Sequence, residues 1–210
     1  MKKNMINLFL ILSTLNSFAQ SNFENIRSVD SFKALLTEKT EQLNSIESDF
    51  IQTKHIDMLS ENIISKGKFY YKKPNRVCLD YIQPVKYLIV INNDKIKINS
   101  EGKINIYTLG ENKMMKEMNN LISACMTGNL NLLTTEYKLE YKENADLYWI
   151  IVYPRGSAQT YMQEIHIYLD KKDLSVHQLN MIESSSDYTE YLFTNKKQNH
   201  EISDEKFSLR

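Results

Sequence analysis

The chain has 210 residues, of which 42% are hydrophobic, and this is enough to build the core of one ordinary domain. Its 26 basic residues balance its 26 acidic residues, so it lacks the excess of positive charge that is typical of nucleic-acid-binding proteins. There are 13 Tyr and 8 Phe against only 5 Gly and 3 Pro, which favours β-strands with aromatic faces over a loop-rich or disordered chain.

The first 19 residues are predicted to be a signal peptide. Lys2 and Lys3 precede the apolar stretch Met5–Leu12, and small residues follow up to Ala19, a pattern typical of cleavage after Ala19. The apolar stretch is too short for a permanent membrane span. The residue directly after the cleavage point is not Cys, which a lipid anchor would require. We therefore expect a soluble protein that is released into the periplasm or beyond, in which residues 20–210 form a single domain.

An amphipathic helix is predicted from Val29 to Phe50, with Ser28 or Asp30 as its N-cap. Apolar residues recur there at helical spacing and form one stripe. The stripe consists of Val29, Phe32, Leu36, Leu43, Ile46 and Phe50.

From about Asp49 the apolar period changes to two, and turn signals such as Pro74-Asn75 and Asn92-Asn93-Asp94 separate the segments. Strands so close in sequence are expected to pair as an antiparallel meander. Between Gly110 and Thr134 the alternation stops, and a short Met-rich helix is predicted. The fold class is therefore α+β, with both helices covering one apolar face of the sheet.

The stretch GKFYYKKPNRVCLDYIQP, from Gly67 to Pro84, has the most informative pattern. Period two places Phe69, Tyr71 and Lys73 on one side of the sheet. The residues expected on the same side after the turn are Val77, Leu79 and Tyr81. Lys73 then ends an apolar row and needs a carbonyl cluster, a charged partner or water. The alternative is that Lys72 and Lys73 are solvated turn residues.

Catalytic and metal-binding patterns are weak. The sequence has no nucleophile elbow, no C-x-x-C, no H-E-x-x-H and no glycine-rich phosphate loop. His166 and His177 fall on one predicted hairpin, but two histidines without placed acids are poor support for a metal site. We expect no enzyme activity, metal or cofactor; a secreted esterase is the minor alternative. Cys78 and Cys125 are either one disulfide or two separately buried thiols.

The quoted stretch resembles the signature of the LolA family, periplasmic carriers of outer-membrane lipoproteins, with its Gly-led strand, basic pair, Pro-Asn and closing Gln-Pro. Other segments are similar in order: IESDFIQT, YLIVINNDKIKI, LDKKDLSVHQLNMIE and ISDEKFSL. Together they extend from about Phe32 to Leu209.

The resemblance implies an unclosed antiparallel half β-barrel, of about 10–11 strands, with a long N-terminal helix and a short central helical lid over the concave face. Lys73 matches the family arginine that tethers the lid, and Val77 matches an inward-facing aromatic. Lysine keeps the charge but loses the planar fork. The residues expected to line the cavity and lid are Phe69, Tyr71, Val77, Leu79, Tyr81, Leu88, Val90, Met114, Met115, Met118, Leu121 and Ile122.

The implied function is binding of lipoprotein acyl chains and their transport from the inner to the outer membrane. The implied partners are acylated lipoproteins, an inner-membrane ABC-type release complex and an outer-membrane acceptor of unknown identity. The protein is expected to be a monomer. The alternative within the same fold is a carrier of another lipid, a glycolipid or a polyene intermediate. Flexible methionines suit a surface that re-packs around variable cargo, although an ordinary core helix explains them equally well.

Overall fold

A computed structural model describes residues 22–111, 116, 119–121, 124, 130–133 and 137–210. The predicted signal peptide and four of the predicted lid residues, Met114, Met115, Met118 and Ile122, lie outside these residues, as does Cys125. Within the described part of the chain, no helix is both long enough and apolar enough to cross a membrane.

Helix α1 extends from Val29 to Glu41, and Ser28 is its N-cap, with its side chain accepting a hydrogen bond from the Ser31 amide. The predicted helix is too long at its C-terminal end. Ile46 and Phe50 lie in a strand that begins at Ser45. Their spacing fits a helical stripe, but they also alternate with outward-facing residues, and pairing with strands on both sides decides the conformation.

In the described part of the chain, twelve antiparallel strands form one open sheet, whereas about 10–11 were predicted. The first strand has only two residues, too few to leave a periodic pattern in the sequence. The strands are β1 (Glu24–Asn25), β2 (Ser45–His55), β3 (Ile63–Lys72), β4 (Arg76–Gln83), β5 (Tyr87–Asn92), β6 (Lys95–Ser100), β7 (Lys103–Thr108), β8 (Tyr137–Glu143), β9 (Leu147–Pro154), β10 (Met162–Asp170), β11 (Val176–Glu183) and β12 (Tyr188–Gln198).

The sheet consists of two meanders. Strands β2 to β7 form one and β8 to β12 form the other, and the last strand, β12, pairs with β2 to join them. Strands β1 and β7 are the two edges. Four short 3-10 helices accompany the strands in the described part of the chain: Leu109–Glu111, Leu130–Leu133, Gly156–Thr160 and Asp204–Phe207.

We call the face of the sheet that α1 covers the inner face. Phe32 and Leu36 of α1 pack there against β8 to β11 in one apolar cluster. A second cluster covers β2 to β6 on the same face and includes Phe50, Phe69 and Tyr71. Leu179 and Tyr191 contact both clusters. The inner face is therefore one apolar surface that crosses the junction between the meanders.

The opposite, outer face carries a smaller apolar cluster beneath the C-terminal segment, which we define as residues 199–210. Phe207 of this segment is 1% exposed and packs against Tyr70, Cys78 and Val90. Cys78 is a free thiol with no exposed surface, and burial raises its pKa to about 12. Cys78 is therefore a buried thiol in this structure and not part of a disulfide.

Ionic contacts hold the C-terminal segment to the sheet. The carboxylate of Asp204 accepts hydrogen bonds from Lys72 Nζ at 2.5 Å and from an Arg76 guanidinium nitrogen at 2.8 Å. Lys72 also donates to the carbonyl of Ile202 at 3.0 Å. The pKa of Asp204 lies below its usual range, mainly because its carboxylate accepts the hydrogen bond from Lys72.

Gly67 permits a close approach within β3. A Cβ atom added to it would collide with the carbonyl oxygen of Asp80 and lie 2.7 Å from Cζ of Phe50. Phe50 is 1% exposed and lies opposite Gly67 on β2. The absence of a side chain thus makes room for an aromatic ring in the core.

Gly67→Ala is expected to lower the free energy of unfolding by roughly 2–3 kcal/mol, because backbone and a buried ring must both shift. Urea denaturation measures this. Gly110→Ala is the matched control, since an added Cβ there meets no described residue within 4 Å, and its effect should stay within about 0.5 kcal/mol. Equal losses in the two variants would contradict the tight packing at Gly67.

Asp204→Asn is expected to weaken the acid dependence of stability. Because the pKa of Asp204 is lowered by folding, its contribution is present above the unfolded value of about 4 and is lost as pH falls through the lower folded value. Denaturation of wild type and variant at neutral pH and across the acid range tests this. The difference in the free energy of unfolding between wild type and Asp204→Asn should shrink on acidification. The control is Glu205→Gln, at an exposed neighbour, whose difference from wild type should not shrink in this way.

Candidate functional site

The predicted inward row lies on the inner face. Phe69 and Tyr71 of β3 pair directly with Leu79 and Val77 of β4, and directly paired residues project from the same side of a sheet. Val77 is 2% exposed and Tyr71 is 1% exposed. These side chains, with Tyr81, form the wall of the second inner-face cluster.

The predicted position of Leu88 and Val90 in the cavity is wrong. Both lie on the outer face and pack against the cluster beneath the C-terminal segment. Tyr81 pairs directly with Tyr87, so alternation along β5 turns the odd-numbered residues inward. The inward residues of β5 are therefore Tyr87, Ile89 and Ile91.

The described residues between Gly110 and Thr134, which we call the central segment, contribute to the cover of the inner face. Leu121, one of the predicted lid residues, is 2% exposed and packs with Phe32 and Leu36 of α1 in the first cluster. Ala124 belongs to the same cluster, and both residues are helical. Among the predicted lid residues, Leu121 is thus the one whose packing the structure describes.

Lys73 binds a helix end. Its Nζ donates to the carbonyl of Thr40 at 3.2 Å and to that of Glu41 at 2.8 Å, both in the last turn of α1. These carbonyls carry the partial negative charge of the helix C-terminus, which a cation stabilises. We expected Lys73 to tether the central lid. In the described residues its ammonium contacts instead hold the N-terminal helix, so it is not a solvated turn residue.

Sequence reasoning missed a second residue at this helix end, Asn199. Its side chain accepts from the Asn44 amide at 2.7 Å and donates to the Gln42 carbonyl at 3.0 Å. Its φ of 55° lies in the left-handed region, which Asn tolerates better than most residues. The sequence feature that could have indicated this role is an Asn directly after the end of a predicted strand. Lys73 and Asn199 therefore fasten the end of α1 to both meanders.

A few polar groups interrupt the apolar surface. The hydroxyls of Tyr81 and Tyr191 lie 2.9 Å apart, across the junction of the two meanders. Burial is the main cause that raises the pKa of both phenols, so they remain neutral at physiological pH. The hydroxyls of Tyr71 and Tyr141 are buried and have no hydrogen-bond partner among the described residues.

A cavity of about 150 Å³ borders the inner face in the described part of the structure. It lies between the C-terminal end of α1 and the loop from β10 to β11, and Leu43, Ile46 and Val176 are among its lining residues. Pockets that bury a whole small ligand have volumes of roughly 300–1,000 Å³. This cavity is therefore too small for a long acyl chain, which would enter it only if the cover of the inner face moved.

The sequence of residues 41–210 matches the family described as "Outer membrane lipoprotein carrier protein LolA". The chain belongs to the LolA family. The predicted resemblance and the unclosed α+β fold are both confirmed. LolA-family proteins have a carrier fold without an enzymatic function. No curated protein sequence matches this chain.

Solved structures share the fold of this LolA-family chain at low sequence identity. An uncharacterized conserved protein from Thermus thermophilus has a TM-score of 0.54 at 7% identity, covering 85% of this chain and 92% of that one. A chain of the Pseudomonas aeruginosa MucA/MucB complex has a TM-score of 0.51 at 11% identity, covering 86% of this chain and 61% of that one. A putative lipoprotein-sorting domain from Vibrio parahaemolyticus has a TM-score of 0.48 at 10% identity, covering 85% and 94%.

Lys73→Leu is expected to loosen the last turn of α1 while the sheet remains folded, because two charge-assisted hydrogen bonds are lost. Amide hydrogen exchange in that turn should become about 5-fold faster or more. Lys73→Arg should retain the slow exchange, and Lys95→Leu, an exposed lysine on β6, serves as the matched control. Unchanged exchange in Lys73→Leu would show that the lysine does not fasten the helix.

Proposed function

We propose that this LolA-family chain is a periplasmic carrier that binds the acyl chains of lipoproteins on its inner face and transports them from the inner to the outer membrane. The observation that carries the proposal is the continuous apolar inner face. It spans both meanders, and the elements that cover it are separate helical segments rather than a second sheet. The role requires binding and release but no covalent chemistry.

The energetics of a carrier fit this arrangement. Burial of an acyl chain contributes about 0.8 kcal/mol per methylene, so ~16 methylenes contribute ~13 kcal/mol in the absence of competition. Here Phe32, Leu36 and Leu121 already occupy the inner face. Cargo must displace them, and their lost contacts offset part of its binding energy. Competition between cover and cargo keeps the exchange reversible.

The contacts of α1 supply the means of opening. Its apolar side packs on the sheet, while its C-terminal end is held by the ammonium of Lys73 and the side chain of Asn199. Polar bonds of this kind exchange with water at little net cost when a helix end moves. We infer that release of α1 at this end is an early step of cargo entry.

The proposed partners follow from family membership. An inner-membrane ABC-type complex would deliver lipoproteins, and an acceptor at the outer membrane would receive them. Export through the predicted signal peptide would place the chain between the two. Mass spectrometry of compounds that co-purify from the native periplasm tests the cargo. Co-purification of a triacylated lipoprotein would support the proposal. Co-purification of a free lipid without protein would contradict the lipoprotein cargo and favour a carrier of another lipid.

Leu179→Glu is expected to reduce binding of a synthetic triacylated peptide by about 10-fold or more, because an acyl chain on the inner face would have to desolvate the carboxylate. Leu179 is half-buried and contacts both inner-face clusters. Isothermal titration calorimetry measures the affinity.

Leu192→Glu is the matched control, since Leu192 is also half-buried but lies on the outer face of the neighbouring strand, directly opposite Gln178. It should bind the peptide as wild type does. If both variants bind normally, the inner face is not the cargo site.

A further inference from the structure

An irregularity in β12 turns one lysine toward the inner face. The register between β12 and β2 shifts between Thr194 and Lys197, so Asn195 and Lys196 form a bulge opposite Ser48. Asn195 has a φ of 51° and donates to the outward-facing carboxylate of Asp49 at 2.7 Å. Bulges of this kind re-aim side chains and are frequent beside functional sites.

Lys196 reaches a small cavity of about 10 Å³ on the inner face, where Ser48, Phe69 and Phe193 are also lining residues. Lys196 Nζ and the hydroxyl of Ser48 are both buried and have no hydrogen-bond partner in the described part of the chain. Ser48 as a whole is 1% exposed. Ser175, which also lines this cavity, already donates its hydroxyl proton to Asp173 at 2.6 Å.

An ammonium among phenylalanine rings is costly unless a partner compensates for its lost hydration. Removal of the charge would be the cheaper way to stabilise an unliganded core. An oxygen anion satisfies both orphaned groups at once, because the ammonium has three donors and the hydroxyl has one. The neighbouring rings offer an apolar surface for whatever chain the anion carries.

We propose that Lys196 and Ser48 bind the anionic head group, a carboxylate or a phosphate, of an amphiphile whose apolar chain lies along Phe69 and Phe193. This inference rests on the proposed function, since it concerns the same inner face, and it adds the head-group chemistry of the cargo. It selects anionic lipids over neutral ones of equal chain length.

The route to this subsite is adjacent to the larger cavity. The cavities of about 10 Å³ and about 150 Å³ share Ile46, Ser175 and Val176 as lining residues. The larger one lies at the C-terminal end of α1, where Lys39 and Lys172 are among its lining residues. Movement of α1 at the Lys73 contact would open the way for a negatively charged head group.

The test compares palmitate with 1-hexadecanol, which have chains of equal length but differ in charge, by displacement of the neutral dye Nile red. Wild type is expected to bind palmitate about 10-fold more tightly than hexadecanol. Lys196→Met should abolish this preference while keeping hexadecanol affinity. Lys197→Met, an exposed neighbour on the same strand, should retain it. Ser48→Ala should reduce it by about 3-fold.

Unliganded Lys196→Met should also unfold at a higher urea concentration than wild type, because it no longer buries an unpartnered charge. Equal affinity of wild type for the two probes, or a preference that survives in Lys196→Met, would overturn the anionic subsite and leave the carrier proposal intact. Binding of neither probe would also overturn the subsite, whereas the carrier proposal itself is refuted if wild type fails to bind the triacylated peptide. If inorganic phosphate alone stabilises wild type as much as palmitate does, the proposal of an amphiphilic ligand is wrong and the subsite binds a small anion.

Discussion

An open sheet with one apolar face must cover that face, and most of this structure follows from the requirement. A closed barrel hides its interior from water by its own curvature, but here β1 and β7 remain separate edges. Burial of Ile150, Ile165 and Ile167 therefore depends on elements that are not part of the sheet. Helix α1 and the central segment supply the cover, and they do so with apolar side chains that an acyl chain can replace. The element that stabilises the empty protein is thus also its competitor for cargo.

The cationic turn between β3 and β4 connects the cover to the sheet on both faces. Lys73 projects inward and holds the carbonyls at the end of α1, whereas Lys72 projects outward and holds Asp204 of the C-terminal segment. Two adjacent residues of a strand point to opposite sides, so neighbouring lysines can serve different segments. The inner contact is to uncharged carbonyls, and the outer one is an ion pair reinforced by Arg76. The turn can release the helix without loosening the C-terminal segment.

Local patterns predicted the class of fold and the main wall of the site. Alternation within β3 and β4 was sufficient to place Phe69, Tyr71 and Val77, because a short turn preserves the facing of consecutive strands. The inward placement of Leu88 and Val90 was wrong, because the run Tyr87–Ile91 is apolar throughout and shows no alternation of its own. Its pairing with β4, where Tyr81 lies opposite Tyr87, turns the odd-numbered residues inward. The end of α1 was missed for a similar reason: Ile46 and Phe50 fit two periodicities, and only long-range pairing selects one. Lys196 had no signal of its own, because a bulge forms between two strands that are far apart in sequence.

The junction of β12 with β2 has a consequence for the order in which the protein matures. Strands β2 to β7, within residues 45–108, pair with one another. One edge of β2 stays unpaired until residues 188–198 form β12. Until β12 has been synthesised, β2 has unpaired backbone groups and an incomplete apolar surface, a combination that favours aggregation. The pairing of β2 with β12, which lie far apart in the sequence, also raises the mean sequence separation of contacts, which slows folding. A protein proposed to shield the acyl chains of others therefore passes through a stage in which its own apolar face needs shielding.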